Sequence, residues 1–269
     1  MFIISNGCSH TFTSQSNNYL SYLQDFIGNS ITLDYISATS YLFGGEKQEL
    51  SVFDERQEES WVNLNNFGKV IQPDNFSIIN KLETTNNGII SLSFDGKSNQ
   101  TIFLETIEYI NRCISVDSKP DYVIVQWSGP SRNLQCIPNS YTTYEWVEVT
   151  PHDNTENGVL MEPLASLQTL MYIYNLQTFL KSNDIKYTFL CYMELDSSVT
   201  KLDTFNSIDL NNFISYETSH PILKGFLNDF KEIGWTKDKP GHPDTVASKY
   251  ISIKIMEHIN PNFKENILI

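Results

Sequence analysis

MFIISNGCSHTFT, residues 1–13, runs from an apolar stretch straight into a cluster of small and reactive side chains. Phe2 to Ser5 read as a strand covered on both faces, because the run is short and continuous rather than alternating. Asn6, Gly7, Cys8, Ser9 and His10 then crowd into one turn. A sharp strand-to-helix turn of this kind lifts a side chain clear of the sheet and can aim a backbone N–H at a ligand. The stretch alone fits two descriptions, a functional turn and a turn that merely contains Ser and His.

Working outward, the same alternation recurs. Leu20, Leu23 and Ile27 fall at helical spacing from about Asn17, with Gly28 as the stop. Ile89–Phe94 reads as a second strand, broken at Asp95-Gly96, and Phe103, Ile107, Ile110 and Ile114 mark one face of the helix after it. Tyr122–Trp127 is another buried strand, Leu164–Leu180 a long helix, and Tyr187–Met193 a further strand. Helices near Ile222–Ile233 and up to Ile259 close the chain. This order predicts an α/β domain built from βαβ units on a parallel sheet of about five strands. In such sheets ligands sit beyond the carboxyl ends of the strands. The turns at Ser9, Gly96, Ser128–Arg132 and His242 can all meet there. Residues 31–88, 133–163 and 194–219 carry little period and read as insertions into one domain spanning 1–269, the second of them an insertion or an extended loop.

Composition narrows the classes. Of 269 residues 40% are apolar and 13% aromatic, enough for a sizeable core. Lys and Arg number 18 against 32 Asp and Glu, a net charge of −14, which argues against a nucleic-acid partner. Cys8, Cys113, Cys136 and Cys191 are dispersed, with no metal-ligand spacing, so neither a structural metal nor a disulfide framework is expected, and no cofactor motif stands out. The first lysine is Lys47, so no signal peptide is expected, and no apolar run reaches the roughly 18–20 residues of a membrane span. The expectation is synthesis in the cytoplasm, with no membrane partner and exit only by cell lysis, as virus particles leave.

The four turns, in their order, resemble the SGNH (GDSL-like) hydrolase family. That family sets a nucleophilic Ser after its first strand, an oxyanion Gly after the second, an oxyanion Asn after the third and Asp-x-x-His near its end. NGCSHT matches the first block with Ser9, and SFDGKSNQTI matches the second with Gly96, followed by Ser98-Asn99 opening a helix. VIVQWSGPSR lies where the third belongs, and PGHPDTVASKYI matches the last with His242. GCSHT together with W-S-x-x-x-R is most similar to SGNH-type proteins of tailed bacteriophages. The resemblance implies a three-layer α/β/α, flavodoxin-like fold with large inserted loops. It implies Ser9 as nucleophile and His242 as base, with oxyanion donors from Ser9, Gly96 and Ser128. Trp127 and Arg132 would bind substrate.

Two positions depart from the pattern. The family Asn would fall near Pro130, leaving Ser128, Ser131 or Arg132 to replace it, and the residue three before His242 is Lys239. Asp238, one place off, is the candidate third triad member, and Asp244 lies beyond the His. The implied activity is a serine esterase that deacetylates a polysaccharide, its substrate an acylated carbohydrate or small ester. The alternative is a weak or inactive scaffold serving as a virion structural or carbohydrate-binding protein, partnered by virion proteins or its own copies in the host cytoplasm or virion.

Each candidate also has a plainer reading. Ser9 can be a turn or N-cap serine, Gly96 a turn glycine, and His242 a surface His at a helix start. Cys8 can itself attack as a thiolate, though at its place in the turn it is expected to pack under the sheet edge. His10 neighbours the nucleophile and is the lesser candidate base; His152, His220 and His258 belong to no motif. Trp127 can be core and Arg132 a surface ion pair. Tyr141–Trp146 fits a carbohydrate platform or an inter-subunit contact equally.

Overall fold

Phe2–Asn6 (β1) is buried at all five positions and lies inside a parallel sheet. The computed structural model describes residues 1–7, 19–28, 32–35, 88–93, 97–138, 144–149, 162–216, 219–235 and 243–264. Within them the chain runs β1, α1 (Tyr19–Ile27), β2 (Thr32–Tyr35), β3 (Gly88–Ser91), α2 (Asn99–Ser115) and β4 (Tyr122–Trp127). There follow β5 (Asn133–Pro138), β6 (Tyr144–Val149), α3 (Glu162–Ser182), β7 (Lys186–Cys191), α4 (Asp203–Asn206), α5 (Gly225–Glu232) and α6 (Thr245–Ile259).

The main sheet has the order β2-β3-β1-β4-β7, every pair parallel. Its core is built by period-two alternation, which sends successive side chains to opposite faces. Ile4, Val125 and Phe189 face α2 and α3, where Ile102, Leu170 and Leu176 are wholly buried. Ile3, Ile124 and Leu190 face the other way, against Leu20 and Leu23 of α1, Phe230 of α5 and Ile255 of α6. Burying one such Ile, Leu or Phe contributes about 1.5–3 kcal/mol, so both faces drive assembly. The result is the expected three-layer α/β/α architecture.

Without its edge strand β2, the sheet orders its strands second, first, third, fourth, the doubly wound flavodoxin-like arrangement. Phe213 adds a parallel bridge to Phe189, and Ile214 N–H donates to Phe189 O at 3.0 Å, prolonging the sheet where that order places a fifth strand. The order reverses between β1 and β4, which is where such folds open a crevice at the carboxyl edge.

Several expectations change in detail. The strand β2 lies within 31–88, read from sequence as an insertion, and still joins the main sheet. Residues 133–149, expected as irregular insertion or loop, hold an antiparallel hairpin with Asn133 paired to Val149. Residues 194–219 contain short helical turns at Ser197–Lys201, Asp203–Asn206 and Leu210–Asn212. The buried face of α2 is Ile102, Glu105, Thr106, Tyr109, Ile110 and Cys113. Phe103, Ile107 and Ile114, taken from sequence as that face, are only half-buried at the margin of the core, where Phe103 stacks on Tyr172 of α3 at 5.3 Å.

Candidate active site

Three strands deliver their carboxyl ends to one edge. The chain leaves β1 at Asn6-Gly7, β3 at Leu92-Ser93 and β4 at Ser128-Gly129. Asn6 is fully buried and holds the first exit. Its Oδ1 accepts the Gly7 N–H at 2.8 Å, and its amide donates to Ile102 O at 3.2 Å and Thr106 Oγ1 at 3.0 Å on α2. Lys97 resumes the chain after the second exit and is buried against Leu92 O and the Glu105 carboxylate. Ser98 then caps α2, its hydroxyl accepting from Thr101 N–H at 3.2 Å. Helix N-caps of this type satisfy donors the first turn leaves open.

The third exit is clamped from across the edge. Asn99 Nδ2 donates to Ser128 O at 3.1 Å and to Thr169 Oγ1 at 2.9 Å, while Ser128 N–H donates to Asn99 Oδ1 at 2.6 Å. The backbone N–H of Ser128 is thus committed, and what this residue can offer an oxyanion is its hydroxyl. That hydroxyl is buried without a partner among the described residues, as are Ser93 Oγ and the Trp127 indole N–H. Unpaired buried polar atoms cost free energy; at strand exits they are groups that a ligand oxygen can satisfy. Trp127 itself is 1% exposed, its ring edge-on to Phe189 at 5.7 Å, so the core reading describes the ring. Arg132 is half-buried with one guanidinium nitrogen buried and unpaired, and it makes no ion pair among the described residues.

The closing helix also starts at this edge. Gly28 ends α1 only a few residues before β2 begins, so α1 runs back from the carboxyl edge to the amino edge. Ser252 Oγ donates to Tyr19 O at 2.7 Å near the start of α1, and Phe263 packs on Phe26 at 5.3 Å near its end. Helix α6 is therefore parallel to α1. Its first residue precedes Ser252 by two turns, about 10 Å at 1.5 Å per residue, which carries its start to the carboxyl side. Trp235, its ring set among Phe230, Tyr216 and Tyr250, accepts the Asp244 N–H at its backbone carbonyl at 2.9 Å. Asp244 caps α6 through Ala247 N–H at 2.9 Å.

Ser9, Gly96, Asp238 and His242 lie outside the described residues, with Cys8, His10, Lys239 and the 141–143 part of the aromatic segment. What the structure places at the carboxyl edge is Gly7, Ser93 with Lys97, and Asp244. Reading the sequence gave no role to Lys97 and Glu105, and it named Asn6 and Asn99 without the bonds they make. A signal existed for Glu105, a carboxylate at the spacing of Ile102, Tyr109 and Cys113 on the apolar stripe of α2. Cys113 and Cys191 are free and buried, and burial pushes the Cys113 thiol up to about 12 and the Cys191 thiol well above its usual range, leaving both inert near neutrality. No group of metal-ligating side chains exists among the described residues. No described helix is long and apolar enough to cross a membrane.

No family model and no curated relative matches the sequence. Among solved structures, the chain is similar to an acetyl xylan esterase, AlAXEase, over 96% of its length and 100% of that protein's, at 9% identity and a TM-score of 0.45. It is also similar to the psychrotrophic esterase EstA from Pseudoalteromonas sp., over 86% of this chain and 97% of that one, at 11% identity and a TM-score of 0.35.

Proposed function

We propose that this protein is a serine esterase of the SGNH type that removes acyl groups, acetyl first among them, from a carbohydrate. The observation that supports this most is the meeting, at one carboxyl edge, of the β1, β3 and β4 exits with the start of α6. Those four places carry Ser9, Gly96, Ser128 and His242 within three residues of a described neighbour.

In this reading Ser9 Oγ attacks the ester carbonyl while His242 takes its proton. The oxyanion is met by the N–H groups of Ser9 and Gly96 and by the Ser128 hydroxyl. In comparable sites one such donor is worth about 10²–10³ in kcat. His242 then hands its proton to the departing sugar oxygen, leaving an acyl-serine. Water, deprotonated by the same imidazole, attacks the acyl carbon; the bond to Ser9 Oγ breaks, the imidazolium returns the proton to that oxygen, and the carboxylic acid leaves. Asp238 holds the imidazole in the needed tautomer, and Trp127 N–H and Arg132 contact the carbohydrate. The phage resemblance adds a place of work, a virion made in a host cytoplasm, with a surface polysaccharide as target and virion proteins or its own copies as partners.

A second reading, an inactive scaffold that binds carbohydrate or builds the virion, is favoured by the acid position. Lys239 stands three before His242, and Asp244 is engaged as an N-cap. Hydrolysis of p-nitrophenyl acetate separates the two. The esterase reading expects turnover lost in Ser9→Ala and in His242→Ala. Wild-type turnover no faster than the Ser9→Ala control would leave the scaffold.

A further inference from the structure

Just under the carboxyl edge lies a charged pair that the chemistry above leaves unused. Lys97 and Glu105 are each 2% exposed, and charges are seldom buried so deeply unless paired. The Lys97 ammonium finds three acceptors for its three protons: the Glu105 carboxylate, the Leu92 carbonyl and Asn6 Oδ1 at 3.3 Å. Leu92 belongs to the exit of β3 and Asn6 to the exit of β1. The same Asn6 Oδ1 accepts the Gly7 N–H, and its amide grips Ile102 O and Thr106 Oγ1 of α2. One cation thus ties two strand exits to the opening turns of a helix.

The neighbours in sequence give this its meaning. Gly96 precedes Lys97 directly, and Ser9 stands two residues beyond Gly7. We propose that the Lys97–Glu105 pair, acting through Asn6, is a positioning device that fixes the nucleophile turn against the oxyanion turn. Stability alone would not call for it, since apolar residues of equal volume commonly replace a buried ion pair at no loss. Apolar contact, however, sets no direction, whereas an ammonium with three fixed acceptors sets the separation of the backbones that carry them. Oxyanion donors need placement to within about 0.5 Å, which is the precision such a tie supplies. Lys97 here is a positioning residue and touches no substrate.

This role rests on the esterase reading, and the test separates the two. The double variant Lys97→Met/Glu105→Leu removes both charges together while keeping volume. It is expected to fold with a cooperative melt, yet to lose at least about 30-fold in kcat on p-nitrophenyl acetate with KM within about threefold, since a shift of 1 Å can cost 10²-fold. A folded double variant with kcat within about threefold of wild type overturns the proposal. Absence of any Ser9-dependent turnover in the wild type would sink the esterase reading alone. The tie is then decided by the rate at which a thiol reagent labels Cys8, followed by mass spectrometry of its peptide. A rate altered at least about threefold supports it, and an unchanged rate overturns it. Should the double variant fail to fold, Glu105→Gln, which keeps shape and an acceptor but drops the charge, is read on the same measurements with the same outcomes.

Discussion

Asn99 shows how one side chain can set the shape of an edge. Its amide is bonded in both directions to the backbone of Ser128 and once more to Thr169, all in a dry environment. Asn99→Ala strands the N–H and the carbonyl of Ser128, and each orphaned buried group costs about 1–3 kcal/mol. Thr169→Val removes only one acceptor and is expected to cost about 1 kcal/mol. Urea denaturation of the two variants should rank them in that order; equal midpoints would mean that water replaces the Asn99 amide. Residues of this kind were hidden from sequence reasoning for a physical reason. Ser9, Gly96 and His242 stood out because each sits where a period breaks, next to a strand end or a helix start. Asn6, Lys97 and Asn99 act through partners up to 100 positions away, and burial of a lysine leaves no mark in the local pattern.

At the level of elements, the exits of β4 and β7 are locked by two glycines that differ in what surrounds them. Gly225 opens α5 with φ +69°, and a Cβ there would lie 2.6 Å from the carbonyl carbon of Met193 and 2.9 Å from Glu194 N. Gly129 would place its Cβ 2.8 Å from Met193 Sδ, the far end of an adaptable side chain. Gly225→Ala is therefore expected to lose about 2 kcal/mol or more, from strain and a backbone collision together. Gly129→Ala should lose less than about 1.5 kcal/mol. Thermal melts of the pair test this, and a Gly225→Ala melt equal to wild type would contradict it. Elements were legible where burial was two-sided or the helical period long, as in YVIVQW and the α3 stretch. The hairpin of β5 and β6 escaped because NLQCIP and YEWVEV mix polar and apolar residues amid turn-forming neighbours. The face of α2 was misplaced by about one residue because Phe103 and Ile107 sit at the margin of the core, Phe103 stacked on Tyr172 of α3.

For the molecule as a whole, acid should act through histidines outside the site. Burial holds the imidazoles of His220 and His258 below their usual value of 6.5. His220 has a further reason to stay neutral, since its Nδ1 accepts the N–H groups of Ile222 and Leu223 at 3.2 and 3.3 Å. Below 6.5 the unfolded chain binds protons that the native one refuses, so these groups stabilise fully above that pH and their contribution is lost as pH falls through their depressed native values. Denaturant midpoints should drop between pH 7.5 and 5, and less steeply in His220→Gln; an unchanged slope in that variant would remove His220 from the account. The architecture also imposes an order in time. Helix α6 lies alongside α1, with Ser252 bonded to Tyr19 across 233 positions. At about 5–20 residues per second on the ribosome, roughly 12 s or more separate the synthesis of those two partners. Throughout that interval α1 can meet the sheet but lacks the helix that finally lies alongside it. The nascent protein must therefore carry that flank of α1 open until α6 has emerged.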